Sequence, residues 1–248
     1  MVGVRLKQLT KQYSIAGKSF IAVDNVNASI KSGSFTVIVG KSGCGKTTLL
    51  RLLSGLEQKS AGEIDWLNCQ NQSPKVGIVF QEPRLMPWLT VQENIAFSLI
   101  KSKQPAPSSE YDSIDWVEST LALLGLTPFR DAYPNQLSGG MAQRVSLGRT
   151  LCYNPDLILM DEPFGALDYF TRKRLQLEIV DLFLNQRKTI IFVTHDVTEA
   201  LQLAQNILVM DSGRIVREIP VDIPYPRQSA AADVLLLQQE ILAALGGL

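Results

Sequence analysis

Gly40-Lys41-Ser42-Gly43-Cys44-Gly45-Lys46-Thr47-Thr48 decides the fold of this chain. Residues 40–47 fit the pattern G-x-x-x-x-G-K-[ST]. An apolar strand-forming run, Phe35–Val39, leads in, and a helical run, Thr48–Leu56, leads out, which is the context the pattern requires. The glycines let backbone N–H groups converge on phosphate oxygens without a Cβ in the way. The helix N-terminus adds its partial positive charge. Lys46 is placed to reach the β- and γ-phosphates of a nucleotide, and the Thr47 hydroxyl to ligate Mg²⁺.

Around this loop, short β-rich apolar runs alternate with helical patterns, which reads as α/β with a mainly parallel sheet. The expected buried strands are Phe35–Val39, Val76–Phe80, Leu157–Met160, Thr189–Val193 and Ile207–Met210. Arg5–Leu9 and Ile21–Ile30 read as an N-terminal antiparallel β layer. Residues 91–153 differ, with helical periodicity and no convincing strand. Thr90-Val91-Gln92-Glu93 is a capping box opening one helix. Tyr111–Leu124 is a second helix ending near Gly125, and a third begins at Ser138-Gly139-Gly140. Lys101–Ser109 is a solvated loop. The expected organisation is a P-loop NTPase core at 1–90 and 154–220, an inserted helical lobe at 91–153, and a tail at 221–248. That tail carries a helix, Val234–Leu245, expected to pack on the core or a partner.

Three further stretches carry chemistry. Leu157–Met160 ends in Asp161 and Glu162. Asp161 is placed to hold Mg²⁺, directly or through water, and Glu162 is the better candidate to polarise an attacking water. Such a run is weak on its own and strong beside a phosphate loop. His195, the only histidine, follows Thr189–Val193 and Thr194 at a strand C-terminal end, where ligands gather in such sheets. Asp196 then caps a new helix. Finally, Leu137-Ser138-Gly139-Gly140-Met141-Ala142-Gln143 is a second phosphate-binding run, far downstream of the first. One nucleotide does not need two clasps from one chain, which suggests a nucleotide held between two molecules.

Composition narrows the classes. Lys plus Arg is 24 and Asp plus Glu is 24, so no basic excess points to nucleic acid. No apolar run approaches the roughly 18 residues of a membrane helix, and the N-terminus lacks a signal-peptide pattern. Cys44, Cys69 and Cys152 are odd in number and far apart, which speaks against a disulfide framework or a zinc site.

The ordered motifs resemble the ATP-binding subunit of an ABC transporter. They are GKSGCGKTT at 40–48, Gln81 after its strand, LSGGMAQRV at 137–145, LILMDEP at 157–163, GALD at 165–168, and His195. The resemblance implies ATP and Mg²⁺ as cofactors and ATP hydrolysis as the activity. Tyr13 would stack on adenine. Gln81 would contact the catalytic Mg²⁺ or water, and His195 the γ-phosphate. Ser138, Gly139, Gly140 and Gln143 would serve ATP bound to the other subunit, and the Gly165–Asp168 run would cross the dimer interface. The partners implied are permease subunits, a second copy or a homologue, and indirectly a solute-binding protein. The place implied is the cytoplasmic face of a bacterial inner membrane. The run from Val79 to Val91 (VFQEPRLMPWLTV) looks like the importer branch for nitrate, sulfonates and taurine, with Leu85, Met86 and Trp88 as an apolar face for a permease helix. A non-transport ABC ATPase that remodels a membrane-protein complex is the alternative.

Three positions depart from the family pattern. Lys41 stands where proline is frequent and adds a charge near the phosphates. Ala142 replaces a frequent arginine. Gly148 replaces a usual alanine, at an expected cost of about 1 kcal/mol in a helix interior.

Overall fold

The structure is a computed structural model that describes residues 1–15, 17–69, 73–100, 110–165, 167–227 and 232–246. The expected loop at 101–109 lies outside the described residues. Strands β1 (Gly3–Ile15), β2 (Lys18–Ile30) and β4 (Ala61–Leu67) form an antiparallel sheet in the order β2-β1-β4. A second sheet has the order β5-β6-β7-β3-β8-β9. It contains β3 (Phe35–Val39), β5 (Val76–Val79), β6 (Leu157–Asp161), β7 (Thr189–Thr194), β8 (Asn206–Asp211) and β9 (Arg214–Pro220). All its pairings are parallel except β8 with β9.

A parallel sheet is covered on both faces, so its strands are apolar throughout. Every residue of β3 is buried accordingly. Phe35, Val37 and Val39 join one core and Ile38 the other, as the period-two alternation of a strand requires. The first core also receives α2 (Val91–Ile100), α3 (Glu110–Leu123), α4 (Gly139–Cys152), α5 (Tyr169–Gln186), α6 (Val197–Leu203) and α7 (Ala232–Ala244). Phe35 meets Phe183 edge-on at 5.5 Å there. The second core holds α1 (Lys46–Leu53) against the antiparallel sheet.

The five expected core strands and the α/β class stand. Two strands were not expected, β4 and β9. β9 is joined to β8 by Ser212 (φ 47°) and Gly213 (φ 82°), a two-residue hairpin turn written in a Ser-Gly dipeptide. Its residues are mostly exposed, so no apolar run announces it.

Between β5 and β6 the described residues form helices and turns and no strand. The capping box at α2 forms, with the Thr90 N–H donating to Glu93 Oε2 at 2.8 Å and the Glu93 N–H to Thr90 Oγ1 at 3.3 Å. α3 closes at Gly125 (φ 63°), where the Leu126 N–H donates to the Leu121 carbonyl. Gly148 has a packing reason that the propensity estimate lacks. A Cβ there would stand 2.9 Å from Leu124 Cδ1 and 3.1 Å from Ile95 Cδ1, so the glycine sets how closely α4 approaches α2 and α3.

Candidate functional site

The loop between β3 and α1 is built on backbone that only glycine accepts comfortably. Gly45 has φ 108°, and a Cβ on it would lie 2.1 Å from the Ala22 carbonyl oxygen. A Cβ on Gly40 would lie 2.2 Å from the Met210 carbonyl. Above the loop opens a cavity of about 430 Å³, walled by Ser42, Gly43, Lys46, Thr47 and Thr48 together with Tyr13, Gln81 and Glu162. Cys44 is buried beneath, and Lys41 is exposed at the loop's outer edge.

Lys46 is only 4 % exposed. Its Nζ donates to the Gly40 carbonyl at 2.9 Å and the Lys41 carbonyl at 3.0 Å, and stands 3.7 Å from Glu162 Oε1. The Thr47 hydroxyl donates to Asp161 Oδ1 at 2.9 Å. Burial pushes the Asp161 carboxyl above its ordinary value, and the Thr47 hydrogen bond opposes that rise. A hydroxyl and a carboxylate meeting at the phosphate loop are hard oxygen donors of the kind Mg²⁺ takes. No cluster of three or more His, Cys, Asp or Glu able to cage a metal exists among the described residues. This donor set therefore fits Mg²⁺, which is usually held by one or two protein oxygens plus phosphate and water.

Glu162 directly follows β6 in the left-handed region (φ 43°), strain of about 1–3 kcal/mol for a non-glycine residue. Its N–H still bonds the Val193 carbonyl of the neighbouring strand. The bend presents its carboxylate to two cation-capable groups, Lys46 and His195, whose Nδ1 lies 2.8 Å from Glu162 Oε2. Asp196 caps α6 as expected, accepting from the Thr198 and Glu199 N–H groups.

On the cavity wall, the ring of Tyr13 carries the Lys11 ammonium 4.7 Å from its centroid. Lys11 is fixed there by Glu57 at 2.8 Å. Phe20 is a lining residue that motif reading misses. It sits directly opposite Tyr13 in the β1–β2 register, so both rings share one face. Only the pairing register reveals it.

The second clasp is elsewhere. No residue of 137–143 lines this cavity. Ser138 and Gly139 are exposed, and the Ser138 hydroxyl caps α4 by accepting from the Met141 N–H at 3.3 Å. Gly140 is buried against Thr171, and a Cβ there would lie 2.4 Å from Thr171 Cγ2. Gln143 parts company with that exposed pair. It is 4 % exposed, and its amide donates to the Phe80 carbonyl at 3.0 Å, so it holds the strand end before Gln81 and does not reach outward. In the run 165–168, residue 166 lies outside the described residues. Gly165 allows close approach of Gln81, whose Nε2 would be 3.2 Å from a Cβ there.

The segment after Gln81 is also organised by residues that no motif flags. Asn94, fully buried, accepts from the Met86 N–H and donates to the carbonyls of Met86, Leu89 and Thr90. This pins the turn that leaves Trp88 71 % exposed. Arg149 of α4 donates to the carbonyls of Pro83 and Arg84, both at 3.0 Å.

A phosphate loop, an acidic strand end and a lone histidine at the carboxyl edge of a parallel sheet define a P-loop nucleotide hydrolase. Residues 23–165, more than half of the chain, match the model of the ABC transporter family, and the chain belongs to that family as an ATP-binding ATPase. It is 39 % identical to an uncharacterised ABC transporter ATP-binding protein of Methanocaldococcus jannaschii, over 98 % of this chain and 91 % of that one. It is 38 % identical to the aliphatic sulfonates import ATP-binding protein of Bacillus cereus, over 96 % and 94 % respectively. Among solved structures, a dimeric ATP-binding cassette bound to ADP and Pi in a post-hydrolysis state superposes with a TM-score of 0.77. It is 32 % identical and covers 89 % of this chain and all of that one.

Proposed function

We propose that this chain is the ATP-hydrolysing subunit of a membrane importer for a small solute of the nitrate, sulfonate or taurine kind. The carrying observation is a division of labour. The nucleotide cavity is walled by the chain's own loop, while the exposed clasp at Ser138 and Gly139 lies outside it. Two chains packed head to tail about a twofold axis would bring each clasp onto the other's nucleotide. The sulfonate-import relative, aligned over nearly its full length, supports the solute class. No helix among the described residues is long and apolar enough to cross a membrane, so the translocation path is assigned to separate permease subunits. Trp88, held out by Asn94, is the proposed contact with a permease helix on the cytoplasmic side, where a solute-binding protein does not reach.

In this reading Lys46 leaves the Gly40 and Lys41 carbonyls for the β- and γ-phosphates, and Tyr13 with Phe20 takes the adenine. Thr47, Asp161 and Gln81 would hold Mg²⁺, which when bound neutralises developing phosphate charge. Glu162 accepts a proton from water as the water oxygen attacks the γ-phosphorus and the bond to the ADP oxygen breaks. His195, with Nδ1 on Glu162, keeps the carboxylate aimed and leaves Nε2 for the γ-phosphate.

Glu162→Gln should lower turnover by at least about 100-fold while ATP binding persists, and ATP should convert the variant to a stable dimer on size exclusion. Unchanged turnover would sink the role of Glu162. A chain that stays monomeric with ATP would sink the head-to-tail pair. Reconstitution with the permease, with ATPase measured against candidate sulfonates, then tests the solute.

A further inference from the structure

The outward face of α5 has no part in the chemistry above, and it is apolar where a surface helix is ordinarily polar. Phe170 is 82 % exposed, and Leu177 and Leu184 are exposed as well. They lie seven residues apart, so at 3.6 residues to a turn they line one side of the helix. On that same side stand Lys173 and Asp181, four residues before and four residues after Leu177. Among the described residues, the ion pairs of α5 are made by Arg172, Arg174 and Glu178, and not by Lys173 or Asp181.

Beside Leu177 and Leu184 this face falls into a groove of about 240 Å³, whose walls also include Leu203, Tyr225 and Pro226. The second wall is built to keep its shape. Arg227 is buried, and its guanidinium donates to the carbonyls of Leu201, Ala204 and Ile223. Its Cζ lies 4.4 Å from the centre of the Tyr225 ring, and the Tyr225 hydroxyl donates to the Leu203 carbonyl. A contiguous apolar surface with a polar rim marks an interaction site.

The order of these residues says what the face fits. Outward from Leu177, a cation stands four residues before and an anion four residues after, with an apolar side chain seven residues to either side. A helix so arranged is complementary to its own copy run antiparallel about a twofold axis at Leu177. Lys173 of each copy then stands level with Asp181 of the other, and Phe170 level with Leu184, beside the groove. We propose that α5 is a self-association surface on which two copies of this chain pair antiparallel, the Phe170 ring of each entering the other's groove. The pairing needs no nucleotide, since neither this stripe nor the groove lines the nucleotide cavity. With three apolar side chains and one Lys–Asp pair from each copy on either side of the axis, it is a small interface, reversible and dependent on concentration.

The test is sedimentation of the nucleotide-free full chain over a range of concentrations. The chain should pass from monomer to dimer as concentration rises, and Leu177→Lys should raise the dissociation constant at least about tenfold. Lys173→Glu and Asp181→Lys should each weaken self-association, because each sets like charges level with one another on both sides of the axis. An equimolar mixture of those two variants should recover it, since every charge then meets its opposite across the axis. A chain that stays monomeric at every concentration, reversals that change nothing, or a mixture no better than either variant alone would overturn the pairing. All three positions lie on the outer side of α5, and ATPase turnover within about twofold of the parent chain shows that each variant has folded. No nucleotide is present, so loss of the ATP-induced dimer, which would fail the head-to-tail reading, leaves this pairing standing.

Discussion

Two helix N-termini in this chain are the proposed phosphate clasps, and they differ in what surrounds them. Neither has an acidic residue in its first turn, so both keep the positive end of the helix dipole for a ligand. α1 starts at Gly45, with no side chain capping it, behind a lysine that is almost wholly buried. α4 starts at Ser138, whose hydroxyl is already used by the Met141 N–H, and it faces solvent. The first follows a central strand, β3, and is furnished with its own lysine, hydroxyl and carboxylates. The second has glycine backbone and little else, and its value depends on what is brought to it. On the proposed head-to-tail pairing, one clasp is a site and the other is half of one.

Substitutions at the two clasps should separate these roles. Lys46→Ala removes charge-assisted phosphate contacts worth about 1.5–3 kcal/mol each, so nucleotide affinity measured by fluorescence titration should fall about 100-fold or more. Ser138→Arg should leave that affinity within about threefold while kcat falls about 100-fold and the ATP-induced dimer is lost. A dimer that survives Ser138→Arg would erase the distinction drawn between the clasps. Trp88→Ala, in the segment that α4 grips through Arg149, should leave the isolated ATPase within about twofold. It should weaken capture by permease-containing membranes at least about tenfold, as loss of an interface tryptophan does. Gly148→Ala should act on α4 alone. Overpacking against Ile95 and Leu124 should cost about 1–2 kcal/mol, read as a melting temperature lower by a few degrees, with ATP affinity unchanged.

The same contrast separates what the sequence makes legible from what it does not. The loop at 40–48 and the Asp196 cap act through neighbours a few residues away, so their spacing carries their geometry, whereas Asp161 and Glu162 meet Thr47, Lys46 and His195 from distant segments and are legible only as the acidic end of an apolar strand. Phe20 acquires its place from a strand register and Asn94 from a turn it reaches across a helix start. Each of these depends on chain segments that meet only after folding. β4 and β9 escaped for a related reason, since partly exposed strands lack the apolar run that marks a buried one. Gln143 shows the reverse hazard, because belonging to a motif suggested an outward role for a side chain that folding turns inward. Gly148 does so too, since propensity sees a weakened helix where packing needs a short distance.

The posture of Lys46 gives the loop an internal tie. Its ammonium reaches the Gly40 and Lys41 carbonyls from the other end of the loop, inside a buried setting. The first residue of α1 is thereby fastened back to the two residues that follow β3, by two hydrogen bonds from one cation. Hydrogen bonds from a charged donor are about twice as strong as neutral ones, so the side chain that the loop's pattern requires also stiffens the loop.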